Sequence, residues 1–167
     1  VFQYVSDNTA LLASWATIEE LMKFFVFFVI AAGSRYLDEP VDYAVNMITV
    51  ALGFSALENA LFLIDPITSG GAITGLLTGD LRFMGATVLH TVASAIVGLS
   101  MGLAFFDGAF SRAFHLLFGL LTAIALHTLF NFFIMAYKEE NLFIIFGFLW
   151  VTAVIVMLVF EKVKNLR

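Results

Sequence analysis

The strongest constraint on this chain is a series of five apolar stretches, each close to the length a helix needs to cross a bilayer, joined by links of Gly, Pro and charge. A spanning helix takes about 20 mostly apolar residues, and the stretches run over 10–34, 41–64, 82–106, 112–137 and 142–160. Composition closes off a water-soluble alternative. Of the 167 residues 62% are hydrophobic and only 13% charged, whereas a soluble domain needs about a quarter charged residues to clothe its core. The expected fold class is therefore all-α: a polytopic transmembrane helix bundle of about five helices, forming one domain over residues 1–167. The chain opens on Val1 rather than Met, so it reads as a fragment or processed form that lacks N-terminal helices.

The links support this division. Gly33 to Pro40 (GSRYLDEP) gathers Gly, charge and Pro, a helix stop followed by a restart. Asp65 to Asp80 (DPITSGGAITGLLTGD) is the longest link, too weakly apolar to span and expected to lie on or fold over the bilayer surface. FDGAFS and KEEN read as short turns. The lack of Cys excludes disulfide frameworks, thiol nucleophiles and Cys-ligated zinc. A net charge of -5 without any basic cluster argues against a nucleic-acid partner.

Alternating spans assign every link to a side. With the Gly33 to Pro40 link on side A, that side collects Arg35, Arg112, Lys162, Lys164 and Arg167, while side B holds Arg82 and Lys138. The positive-inside rule then puts A in the cytoplasm and B outside. Depth follows from the helical rise: counted from side B, Glu19 lies roughly 13 Å deep, Glu58 about 9 Å, His90 about 12 Å and His127 about 15 Å. Four helices thus bring ionisable groups to one level. Such groups cost about 2.5 kcal/mol or more at the centre of an isolated helix, so they face a protein interior and usually mark function.

Each of these residues has a structural reading beside its chemical one. Glu19, Glu20 and Lys23 form i,i+3 and i,i+4 pairs, so the lysine can neutralise one carboxylate and leave the other available. Only one of two adjacent glutamates is expected to face the site. His127 and Asn131 share a helix face, as interhelical glue or as imidazole and oxyanion donor. His90 has Thr87 and Ser94 on its own face, placed to orient it. Together Glu58, His90 and His127 form a two-His, one-carboxylate set suited to zinc. Glu19 or Glu20 is then left as general base and Asn131 as oxyanion donor. A metal-free mechanism, with glutamate and histidine jointly activating water, uses the same residues. His115 lies twelve residues before His127, roughly 18 Å toward side A, and reads as interfacial.

At these positions the chain resembles a known family. EELMK (Glu19 to Lys23), FSALENALF (Phe54 to Phe62), the isolated His90 and HTLFN (His127 to Asn131) resemble the ordered motifs of the PrsW-type membrane proteases. Those are in turn similar to the CAAX-processing and bacteriocin-processing membrane endopeptidases, which carry EExxxR, FxxxH and HxxxN. The resemblance implies peptide-bond hydrolysis, with Glu19 and Glu20 at the catalytic centre, His90 and His127 as ligands or water-activating groups, and Asn131 supporting the oxyanion. It also implies a membrane-anchored, anti-sigma-factor-like substrate cut at the extracytoplasmic side, in agreement with a site near side B. Lys23 stands one position before the arginine of the CAAX-type motif, and Glu58 stands where FxxxH has histidine. Both departures favour the PrsW type. Three other functions use the same polar interior: a noncatalytic scaffold for a transmembrane partner, a CAAX-type prenyl-protein endopeptidase acting at the cytoplasmic face, and a proton-coupled transporter. The last is disfavoured because no internal repeat is present.

Overall fold

The computed structural model describes residues 2–31, 37–137 and 142–166. They form α1 (Phe2–Ala31), α2 (Pro40–Leu103), α3 (Ala109–Tyr137) and α4 (Leu142–Lys164), with no strand among them. The expected all-α bundle is what the chain adopts. The expected KEEN turn and Arg167 lie outside the described residues, as does the stop signal around Arg35.

α2 departs from expectation. The Asp65 to Asp80 link, expected as a surface loop, has helical backbone, so two spans run on without a break in helical residues. The run is not a straight rod. In one rod Ser55 and Thr87 would lie about 48 Å apart, yet their hydroxyls are 3.0 Å apart. α2 therefore doubles back, with an outbound limb (Pro40–Ile64) and a return limb (Met84–Leu103), each long and apolar enough to cross a membrane. Composition alone hides this: Gly, Ser and Thr weaken a helix in water, but backbone groups near lipid gain more from satisfying themselves internally. At the other end the restart is conventional. Pro40 occupies the first turn, and the Asp42 carboxylate accepts the backbone N–H of Glu39 at 2.7 Å and of Asp38 at 3.1 Å.

The return limb is the hub. In its most apolar window 61% of residues are buried, against 28% in α3, 22% in the outbound limb and 11% in α4. It can occupy the centre because its neighbours come very close. A Cβ on Gly98 would sit 2.5 Å from the Ala44 Cα of the outbound limb, and one on Gly119 of α3 would sit 2.8 Å from the Ser100 Cβ. Small residues at such crossings are how helices associate in lipid, where apolar burial drives little.

α1 shows how the bundle is turned inside out relative to a soluble protein. Leu11, Trp15, Ile18, Met22, Phe25 and Val29 recur every three or four residues and are all exposed, forming a lipid-facing stripe. The opposite stripe, Ala16, Glu20, Lys23, Phe27 and Ala31, is buried. The two ionisable residues of that helix stripe are therefore its inward ones. On side A of them runs an aromatic chain, Phe27 to Tyr43 at 6.1 Å and Tyr43 to Phe105 at 6.0 Å between ring centroids.

Candidate functional site

Glu20 and Lys23, one turn apart on α1, are both 0% exposed, and Lys23 Nζ donates to Glu20 Oε1 at 2.6 Å. Two buried charges hold such a position only when paired and hydrogen-bonded, and here each has a second partner from another helix. Lys23 Nζ reaches His90 Nδ1 on the return limb at 3.1 Å. Glu20 Oε1 lies 2.7 Å from His127 Nδ1 on α3. The far nitrogen of His90, Nε2, is 2.7 Å from Glu58 Oε2 on the outbound limb. The imidazole rings of His90 and His127 meet edge to face, 5.1 Å between centroids, and Phe54 packs edge-on against His90 at 5.3 Å. α1, the two limbs of α2 and α3 are thus tied by one polar cluster, at one level of the bundle as the helical rise leads one to expect.

The partners also dictate protons. A carboxylate accepts only, so His127 must donate from Nδ1 to Glu20, which leaves the lone pair on Nε2. An ammonium donates only, so His90 must accept at Nδ1, which puts its proton on Nε2, toward Glu58. His127 Nε2 faces Glu19 Oε2 at 3.6 Å, beyond hydrogen-bonding distance. Two lone-pair atoms face each other there. Glu19 Oε2 and Glu20 Oε2 are moreover buried oxygens without a hydrogen-bond partner among the described residues.

Those observations test whether the donor set suits a metal. Two ligands held at about 2.1 Å by one tetrahedral ion lie about 3.4 Å apart, close to the observed 3.6 Å. One donor atom each from Glu19, His90 and His127 lies within 4.8 Å of the others. The set fits once His90 gives up one of its two hydrogen bonds, with the carboxylate supplied by Glu19. Glu58, expected as the third ligand, instead engages His90 Nε2 at the edge of the group.

Glu19, with its side chain 22% exposed, and Glu58, at 20%, are the open edge of a cluster whose other members are 0–3% exposed. Asn131, one turn nearer side B than His127, is half-buried. Thr87 and Ser94, expected to orient His90, do not. Thr87 shares hydrogen bonds with Ser55 and Asn59, and the Ser94 hydroxyl is buried with no partner. Lys23 and Glu58 hold the ring in their place. The contact of Lys23 with His90 was not legible from spacing, since 67 residues separate them; the only signal was a lysine too deep to reach water. His115 stands apart, bonded to the Ser111 carbonyl of its own helix at 3.0 Å.

Fold and site together define a multi-pass membrane protein built around a buried glutamate-histidine centre. The comparison with known families gives that class its name: residues 3–160 match the PrsW family intramembrane metalloproteases, and the chain belongs to that family. It is similar to Protease PrsW of Geobacillus kaustophilus, 31% identical over 76% of this chain and 52% of that protein. Protease PrsW of Shouchella clausii is 27% identical over 92% of the chain and 68% of that protein, and Protease PrsW of Bacillus subtilis 28% over 71% and 51%. The chain thus spans about half to two thirds of the length of these relatives. No solved structure matches it.

Proposed function

We propose that this chain is the catalytic core of a membrane-embedded metalloprotease that hydrolyses a peptide bond of a membrane-anchored protein near side B, its extracytoplasmic face. The observation that carries the reading is the opposed pair Glu19 Oε2 and His127 Nε2, 3.6 Å apart, with the Glu19 oxygen buried and without a hydrogen-bond partner among the described residues. Family membership and the relatives' name support proteolysis.

Glu19, His90 and His127 would hold the metal, zinc by the chemistry of the donors, which when bound polarises the scissile carbonyl and acidifies a water. Glu20 fixes the ring of His127 from behind, so the Nε2 lone pair stays aimed at Glu19. Glu58, hydrogen-bonded to His90 at the open edge, is placed to take the proton of the attacking water and return it to the leaving amine. Asn131 lies on the same stripe as His127, where its amide donates to the developing oxyanion. The exposure of Glu19 and Glu58, with the aromatic chain below, favours entry from side B over the cytoplasmic entry a CAAX-type enzyme needs. An anti-sigma-factor-like substrate, anchored by one span and cut outside it, suits that geometry.

The test is cleavage of a membrane-anchored reporter in vesicles. Glu19→Gln, His127→Gln and chelation should each abolish turnover while the protein stays inserted and folded. Wild-type turnover by both variants would sink the proposal and leave the scaffold reading.

A further inference from the structure

We propose that Lys23 is a resident counter-cation: it keeps the glutamate-histidine cluster assembled when no metal is bound, and it lowers the affinity of that cluster for the metal. This rests on the metal reading above. A preformed metal site rarely exists in an unfolded chain, so metal binding is coupled to folding, and anionic donors repel one another while the metal is absent. Here the chain supplies its own cation. The Lys23 ammonium is 0% exposed, 2.6 Å from Glu20 Oε1, 3.1 Å from His90 Nδ1 and 5.5 Å from the Phe54 ring centroid, over its face. It therefore touches α1, the return limb and the outbound limb, and through Glu20 it reaches His127 on α3. A positive charge at that point does for the three carboxylates part of what a metal would do.

The same position makes it an antagonist. A divalent ion held by Glu19, His90 and His127 would share the His90 ring with a fixed ammonium, in a medium of low dielectric where like charges repel strongly. The ammonium also engages one nitrogen of His90 while Glu58 engages the other, so His90 must exchange a hydrogen bond before it can ligate. Lys23 is thus a positioning residue, acting through Glu20 and His90. Its effect is to separate folding of the cluster from metal loading.

The experiment measures zinc binding and thermal unfolding of the purified chain in detergent, with and without chelator, for wild type, Lys23→Met and Lys23→Arg. Wild type should unfold at nearly the same temperature with and without zinc. Lys23→Met should bind zinc at least about tenfold more tightly and become strongly zinc-dependent in its unfolding temperature, whereas Lys23→Arg, which keeps the charge, should restore the wild-type insensitivity. Equal zinc affinity in wild type and Lys23→Met overturns the proposal and leaves the metal reading standing. A wild-type chain that unfolds on chelation overturns it too, whether or not Lys23→Met folds. Failure of the wild type and Lys23→Met alike to bind zinc overturns both readings.

Discussion

α1 and α4 both pack on the outside of the return limb, and they are opposites. α4 is the most apolar span, carries no ionisable residue between Leu142 and Phe160, and is the least buried of the spans, with 11% of its most apolar window inside the bundle. α1 is interrupted by Glu19, Glu20 and Lys23 and does not qualify as a span by apolarity. Yet α1 contributes three members of the cluster and α4 none. In lipid, apolar content says that a segment can cross; polar content says which way it faces and what it is for. A hydropathy ranking would place first the helix that does least.

That contrast can be broken by substitution. The largest effect should come from Glu20→Ala, which strands Lys23 and frees His127. About 3–5 kcal/mol of stability should be lost, read as a lowered unfolding temperature or reduced resistance to denaturing detergent. Asn131→Ala should leave folding intact and lower turnover about a hundredfold through loss of an oxyanion donor. An equal loss of stability would return Asn131 to interhelical glue. Gly98→Leu should cost about 1–3 kcal/mol by forcing the two limbs of α2 apart, with a matching drop in unfolding temperature. Smallest of all, Ile155→Ala on the exposed face of α4 should shift stability by less than about 0.5 kcal/mol and leave turnover unchanged. A large effect there would mean that α4 is covered by protein rather than lipid.

How much of this was legible in the sequence divides along one physical line. The helical rise is invariant, so the level of each polar group could be counted, and Glu19, Glu58, His90 and His127 do meet. Rotation about the helix axis and choice of rotamer are not invariant. Which carboxylate faces His127 and which faces His90 was therefore open: Glu19 lies beside His127 and Glu58 beside His90. The helical character of the Asp65 to Asp80 link was also hidden, because Gly, Ser and Thr read as loop formers in water. Lys23 was seen as a partner for its neighbours on α1 and not as the bridge to the return limb. Residues near in sequence constrain each other through known spacings, while a contact across 67 residues depends on packing alone.

The pairing of Glu20 with Lys23 inside a single turn has a consequence for biosynthesis. Helices enter the bilayer in the order in which they are made, and His127 follows Glu20 by 107 residues. α1 arrives with its charge pair already closed, so it does not have to wait in the insertion machinery for α3. Glu58 has no cation on its own limb, and His90 follows it by 32 residues. The two limbs of α2 accordingly share one buried polar contact, so the hairpin is best delivered to the bilayer as a unit.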